Sequence, residues 1–471
     1  MIKRARWYSV LAMSTSPFST LALPAAAVEN LTRLGMEHMT PIQAAALPAV
    51  LAGSDVIGEA DTGSGKTLVF ALGLLQQLDL ARKIPQGIVL CPTRELARQI
   101  ATEIRRFGRY LPNLTVTLLV GGESITRQRQ TLKHGAHLVV GTPGRVKDLL
   151  GKDALDLAHI RTAVLDEADR MLEMGFIEDI TAILATLPPS RQTLLFSATF
   201  PDSLRDATAP FLRHPELIRA SHPSAHPDIE HRIISVEPGA QADTLHHLLL
   251  QLRPAAALIF ANTIQTVIET RESLCQHRIA AAALHGDMPQ HLRTEIIIQF
   301  QHRSCPYLVA TDVAARGLDI TDLPLVIQID LPRQLDTYLH RAGRTGRAGA
   351  KGASISFCPR PDHPILAPLA ADLGRPLKLE PPPRPPATPR NLPPPEIRTL
   401  RLAGGRKDKL RAGEMLGALT GDGGLAGTEV GAITLLDHAT YIAINRRASS
   451  RLSLDRGALR IKGRRLRATW L

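Results

Sequence analysis

Val56-Ile57, then Ala60-Asp61-Thr62-Gly63-Ser64-Gly65-Lys66-Thr67, then an apolar run from Leu68 decides how this chain folds. An apolar pair passes through a glycine-bearing turn into a helical pattern, so the turn joins the end of a buried strand to the start of a helix. Gly63 and Gly65 let backbone N–H groups turn inward around an oxyanion, and the helix N-terminus adds a favourable dipole. Lys66 is placed to reach β and γ phosphates and Thr67 to ligate Mg²⁺. Alanine, Ala60, stands where the generic phosphate-loop pattern has its first glycine. A strand–loop–helix unit of this kind belongs to an α/β sheet, with its ligand in the crevice beyond the strand ends.

Outward from the loop, short apolar runs alternate with longer helical patterns. Ile88–Leu90, Leu138–Val140, Ala163–Leu165 and Leu194–Phe196 fall in the first half, and Ala257–Phe260, Tyr307–Ala310 and Val326–Ile329 in the second. Continuous apolar runs separated by helices read as buried parallel strands. A polar stretch with His and Pro, His214 to Pro227, separates the halves and is read as a hinge. Between Pro381 and Pro395, nine of fifteen residues are proline, which reads as a semi-rigid spacer in extended polyproline form.

The 471 residues are too many for one core and accommodate about three domains. The excess of 12 positive charges points to a polyanionic partner, and its location is uneven. Residues 398–471 hold 15 Lys/Arg against 6 Asp/Glu, which leaves +9 in that segment. Cys91, Cys275, Cys305 and Cys358 are scattered, with no paired spacing and no adjacent His cluster, so neither a disulfide framework nor a zinc site is expected and a reducing cytosol fits. No apolar run reaches the roughly 20 residues of a membrane span. Residues 1–15 are read as a disordered extension, or as a start placed too early with Met13 as the alternative.

Past the strand ending at Leu165 comes Asp166-Glu167-Ala168-Asp169. Adjacent acids just beyond a strand end suit a metal-assisted phosphoryl transfer, with Asp166 on Mg²⁺ and Glu167 polarising the attacking water. Read alone, the same four residues are an acidic helix start favoured by the dipole. Paired with the phosphate loop they resemble the DEAD-box helicase family, whose naming motif they spell, and the resemblance runs from about Phe18 to Pro359. It implies two tandem RecA-like parallel-sheet domains, 16–218 and 228–372, a Pro-rich linker at 376–396, and a small α+β, RRM-like domain at 397–471.

Residue by residue, Phe18, seventeen positions before Gly35, and Thr40-Pro41-Ile42-Gln43 resemble the family's adenine-reading motif, with Gln43 on the base edge and Phe18 covering the base. Arg94 in Pro92–Ala97, Gly122 in Gly121-Gly122, and Thr142 and Arg145 in Thr142–Arg145 resemble the RNA-backbone motifs of the first domain. Ser197-Ala198-Thr199 resembles the motif that couples nucleotide state to RNA, and His340 is given the same role. In the second half Phe260, His285-Gly286-Asp287, Gln290, Arg293 and Thr311 match RNA-side positions, and Asp319 a nucleotide-side one. His340-Arg341-Ala342-Gly343-Arg344-Thr345-Gly346-Arg347 supplies Arg344 and Arg347 as arginine fingers, with alanine at Ala342 where the family has an aliphatic. The resemblance implies ATP and Mg²⁺ as cofactors, RNA as partner, a monomer, and a cytoplasmic place of action.

The basic tail resembles the RNA-binding domain of the DbpA subfamily, through Leu400–Lys407, with Arg406 and Lys407 as RNA contacts, Leu416–Asp422 and Ile461–Arg465. That implies a hairpin of large-subunit ribosomal RNA as its target. Strands are expected at 398–402, 431–436, 440–445 and 465–470 in a βαββαβ order. An ordinary RRM stacks bases on several aromatics of its central strands, whereas here only Tyr441 stands there, so recognition should lean on Arg and Lys. Two other readings stay open: a DNA translocase on the same two-domain engine, opposed by Gln43 and the intact acid tetrad, and a non-catalytic RNA clamp, opposed by intact Lys66, Glu167, Arg344 and Arg347.

Overall fold

The computed structural model describes residues 7–10, 16–60, 64–220, 229–315, 323–346, 351–385, 391–452, 454, 457–461 and 463–471. Two compact units emerge, one from the chain up to Ser224 and one from most of the remainder.

The first unit is an eight-stranded parallel sheet: β1 (Trp7–Val10), β2 (Val56–Glu59), β3 (Gly87–Leu90), β4 (Val116–Leu119), β5 (Leu138–Gly141), β6 (Thr162–Asp166), β7 (Gln192–Ser197) and β8 (Glu216–Ala220). Their order is β1-β8-β2-β7-β6-β3-β5-β4, so β2, bearing the phosphate loop, is separated from β6, bearing the acids, by β7 alone. β3, β5, β6 and β7 are buried along their whole length, as the continuous apolar runs require when helices cover both faces. One core cluster is built around Phe70, Leu47, Ile104 and Phe196, and another around Ile57, Leu165, Ile183 and Leu195.

Two expectations are corrected here. Residues 7–10 are not a disordered extension: Trp7↔Leu217 through Val10↔Ala220 pair in parallel, because β8 would otherwise present an unpaired edge. The expected hinge from His214 begins inside the first domain, since Glu216–Ala220 is β8, whose two adjacent apolar residues, Leu217 and Ile218, enter the two core clusters on opposite faces of the sheet. Residues 221–227 of that hinge lie outside the described residues.

The second unit holds two sheets. β9 (Ile229–Ser235), β10 (Ala257–Phe260), β11 (Ala281–Leu284), β12 (Tyr307–Ala310), β13 (Leu325–Gln328), β14 (Gly352–Cys358) and β15 (Leu379–Glu380) form a parallel sheet of order β11-β12-β10-β13-β14-β9-β15. Domain 2 therefore extends through Glu380, past the boundaries at 372 and 376. Arg232 holds that last strand by three hydrogen bonds to the Glu380 carboxylate, at 3.1, 3.1 and 2.6 Å. Leu392, within the Pro-rich stretch, packs on the domain 2 core, so the spacer is tied to the domain rather than standing free.

β16 (Ile397–Leu402), β17 (Val430–Leu435), β18 (Thr440–Asn445), β19 (Ala458–Ile461) and β20 (Arg464–Trp470) make an antiparallel sheet of order β17-β18-β16-β20-β19. β19 was not expected; it is a four-residue arm of a hairpin closed at Gly463, too short for a clear alternation. One face of this sheet carries Leu400, Leu402, Ile442 and Ile444 against the helix Ala412–Thr420. On the other face, β16, β17 and β18 pack on domain 2. His302 places its two ring nitrogens 3.3 Å from Thr399 Oγ1 and 3.0 Å from Thr434 Oγ1, and Ser304 Oγ lies 2.7 Å from Thr399 Oγ1. Tyr441 donates its hydroxyl to Glu295 at 3.4 Å, and Arg401 lies 3.7 Å from the same carboxylate. Among the described residues, no helix is long and apolar enough to cross a membrane.

Candidate nucleotide and RNA sites

Lys66 opens the helix Lys66–Gln76, two residues earlier than the sequence pattern suggested, and Gly65 caps it with φ +94°. Only glycine suits that conformation, and a Cβ there would also collide with the Gln43 amide. The loop is stapled to the Gln43 segment. Gln43 Nε2 donates to the Gly65 carbonyl at 3.1 Å, Gln43 Oε1 accepts from Thr40 N at 2.9 Å, and Thr40 Oγ1 donates to the Ser64 carbonyl at 2.7 Å. An amide has two donors and two acceptor lone pairs, so half of Gln43's capacity remains for a base edge.

A cleft of about 480 Å³ opens against this staple, bounded among others by Phe18, Glu37, Thr40, Gln43 and Leu68. Phe18 is only 2% exposed, so its ring is a wall of that cleft set into the core. Lys66 is buried, and its ammonium donates to the Ala60 carbonyl at 2.6 Å. Asp61, Thr62 and Gly63 lie outside the described residues, while Ala60, Ser64, Gly65 and Thr67 are described.

Asp166 ends β6 and is fully buried, which pushes its carboxyl up to about 7. Lys66 opposes that rise, and Glu167 and Asp169 reinforce it. Glu167 is held at φ 52°, ψ 50°, a left-handed conformation uncommon for a residue with a side chain, and its N–H donates to Asp166 Oδ1 at 3.1 Å. A buried carboxylate whose charged form burial disfavours suits a hard cation, which would restore that charge. No group of three His, Cys, Asp or Glu among the described residues could cage a metal. The Asp166 carboxylate, a hard oxygen donor beside the loop, fits Mg²⁺, which keeps water and phosphate in its shell.

The sequence reading gave Asp169 no role, and the structure makes it a junction. Its Oδ2 accepts from Thr199 N at 3.1 Å and Thr199 Oγ1 at 3.0 Å, and its N–H donates to Ser197 Oγ at 3.1 Å. The acid tetrad and the Ser197–Thr199 segment are thus one hydrogen-bonded element. Neighbouring strands β6 and β7 bring them together, a proximity across 28 residues that no local pattern displays.

Arg94, Gly122, Thr142 and Arg145 gather where the adjacent strands β3, β5 and β4 end. Gly122, at φ +72°, leaves space that a Cβ would take from the Arg94 guanidinium. Arg145 donates to the Glu123 carbonyl at 3.1 Å and to Gln128 at 2.9 Å. Thr142 caps the helix Pro143–Leu150.

In domain 2, Thr311 is buried and its N–H donates to the Leu284 carbonyl at 3.3 Å. Arg344 is buried and His340 half-buried, whereas Asp319 and Arg347 lie outside the described residues. Phe260 is buried under the Arg341 guanidinium, 5.3 Å from its ring centre, so it is a core residue rather than an RNA contact. Arg341 pairs with Asp312 at 2.7 and 2.6 Å, and also donates to Asn262 Oδ1 and the Asp330 carbonyl at 2.7 Å each.

In the C-terminal domain Arg406 and Lys407 are exposed on a turn beside Asp437, each 3.5 Å from its carboxylate. Arg464 joins them by donating to the Asp408 carbonyl at 3.4 Å. Tyr441, expected to be the one aromatic open to a base, is 4% exposed and covered by domain 2.

Comparison with known proteins agrees with this arrangement. Residues 40–207 match the DEAD/DEAH box helicase family model, 240–349 the helicase conserved C-terminal domain, and 399–469 the DbpA RNA-binding domain. The ATP-dependent RNA helicase DbpA of Escherichia coli is 42% identical over 455 residues, 96% of this chain and 99% of that protein. The helicase CshA of Bacillus cereus is 42% identical over 72% of this chain and 65% of its own length. Among solved structures, S. cerevisiae Dbp5 bound to RNA and ADP BeF3 aligns with TM-score 0.70 at 29% identity, covering 78% of this chain and 95% of that one. Mss116p bound to single-stranded RNA and AMP-PNP aligns at 0.71 and 27%, covering 80% and 82%.

Proposed function

This chain belongs to the DEAD-box ATP-dependent RNA helicases and ends in a DbpA RNA-binding domain, and from that premise we propose that it hydrolyses ATP in response to RNA and remodels large-subunit ribosomal RNA during ribosome assembly. The observation that carries the enzymatic part is the single hydrogen-bonded unit formed by Thr40, Gln43 and the phosphate loop beside the cleft.

In this reading the adenine lies in the cleft between Phe18 and Gln43, and the phosphates lie over the loop from Ala60 to Thr67. Lys66 exchanges the Ala60 carbonyl for phosphate oxygens. Thr67 and Asp166 hold the Mg²⁺, which neutralises phosphate charge when bound. Glu167 orients the attacking water and accepts its proton as the bond to the terminal phosphorus forms and the bridging oxygen leaves with ADP. Arg344 and Arg347 stabilise charge on the transferred group, and Asp319 faces the nucleotide. Asp169 passes the phosphate state to Ser197 and Thr199. Arg94, Gly122, Thr142, Arg145 and Thr311 grip the RNA backbone, which makes the core indifferent to sequence.

The address comes from the tail. Arg406, Lys407 and Arg464 form an exposed cationic corner for a folded RNA hairpin, and Tyr441 is spent on the contact with Glu295. The protein acts as a cytoplasmic monomer in this reading. Two measurements test it. Glu167→Gln should bind ATP as the parent does and lose turnover; turnover near the parent value removes Glu167 from its role. Deleting residues 396–471 removes contacts to the polar side chains of Glu295, His302 and Ser304, so basal RNA-stimulated ATPase should survive while preference for ribosomal RNA disappears. Equal activation of the full chain by random RNA refutes the address.

A further inference from the structure

One face of the C-terminal sheet packs on its own core, and on the other face β16, β17 and β18 meet domain 2 through Thr399, Thr434, Arg401 and Tyr441. Arg406 and Lys407 follow the end of β16, and a second cationic feature lies at its start. Arg398 holds its guanidinium 4.5 Å from the centre of the Trp470 ring. Arg446 follows two residues after Ile444, the ladder partner of Arg398 across β16 and β18. Arg446 is fixed to the chain entering the domain: its N–H donates to the Glu396 carbonyl at 2.6 Å and its Nε to the Pro395 carbonyl. Arg447 is exposed one residue on.

Each guanidinium is oriented by a neutral partner. The ring beside Arg398 takes none of its N–H donors in a hydrogen bond. A carbonyl on Nε of Arg446 leaves both Nη groups to bond elsewhere. Among the described residues neither makes an ion pair, and the two charges raise each other's cost, Arg446 being held below its ordinary range by burial first and by Arg398 second. Two uncompensated guanidiniums at neighbouring positions of the ladder suit a phosphate, which accepts bidentate bonds and removes the repulsion.

We propose that Arg398 and Arg446, with Trp470 as the plate that orients Arg398, form a second RNA phosphate site on the C-terminal domain. β16 separates it from the Arg406 corner by roughly 15 Å, at about 3.3 Å per residue. The two sites touch two backbone positions of one folded RNA, which lets the domain measure shape without stacking bases. This rests on the reading of the tail as the RNA-addressing domain.

The test uses the full chain with a large-subunit ribosomal RNA fragment, measuring affinity against salt concentration. Arg398→Gln, Arg446→Gln and Arg406→Gln are compared, each first matched to the parent in thermal midpoint, with Arg398→Lys and Arg446→Lys as partial rescues. Arg398→Gln and Arg446→Gln should each lower affinity about tenfold and shallow the slope of log affinity against log salt by about 0.7 to 0.9 per lost phosphate contact. If Arg406→Gln shallows the slope while neither of the other two does, this second site is refuted and the address reading stands. If none of the three changes it, the address reading falls and this proposal with it. Titration with inorganic phosphate, followed by the Trp470 indole signal, separates the sources. A shift with RNA alone supports a backbone site, and saturation by free phosphate in place of RNA overturns the RNA assignment.

Discussion

Arg341 stands inside the arginine-rich run that the sequence offers as a catalytic signature, yet the structure places it in the interior of domain 2, 2% exposed on its side chain. Its guanidinium makes two bonds to Asp312, one to Asn262 and one to the Asp330 carbonyl, all at 2.6 to 2.7 Å, and lies over Phe260. Arg341→Ala would leave the Asp312 carboxylate without its partner and open space above Phe260. Removing one member of a buried pair costs about 3–5 kcal/mol. Asp312 is 21% exposed, so water recovers part of its solvation and the lower end, about 3 kcal/mol, is expected. Arg341→Lys keeps a charge but cannot reach Asp312, Asn262 and Asp330 together, and a smaller loss than for Arg341→Ala is expected because a planar fork is replaced by a point charge. The assay is amide exchange of β10 and β13 in the full chain, since denaturant unfolding of several domains is not two-state. Protection should fall in domain 2 and stay unchanged in β3 and β6. Protection within about 1 kcal/mol of the parent for Arg341→Ala would refute the argument that this arginine is a structural hub.

Asp166 titrates near 7 in the fold against an ordinary value near 4. The folded state therefore binds more protons than the unfolded one between those values, and metal-free stability falls as pH rises through the window. Asp166→Asn should flatten that dependence of the thermal midpoint in chelator; an unchanged slope would exclude Asp166 as its source. His302 has the opposite sign: burial lowers it from 6.5 to about 4, so the contact with Thr399 and Thr434 weakens as pH falls from 6.5 toward 4. Exchange of the Thr399 and Tyr441 amides should quicken over that range, and His302→Gln should remove the pH dependence; persistence in the variant would assign it elsewhere. Asp169→Asn keeps one acceptor but turns a donor toward Thr199, so unwinding should fall at least tenfold more than ATP turnover. A parallel loss of both would deny Asp169 a coupling role.

Local pattern was enough for much of this protein. The phosphate loop, the acids after β6 and seven of the buried strands could be read from single stretches, because a parallel strand covered on both faces is a continuous apolar run and its ligand groups follow at its end. Tertiary structure alone decided where edge strands form, since β1 and β15 each pair with the open edge of a neighbouring strand, and Arg232 holds the Glu380 carboxylate of β15 from that neighbour. It alone separated Arg341 from the other arginines of its run, because burial against Asp312 depends on a helix meeting a strand end from elsewhere in the chain. It also turned Tyr441 from an exposed platform into a covered contact. Side-chain type fixes what a residue can bond, and the surfaces brought against it by the fold determine whether that capacity faces RNA or the protein itself.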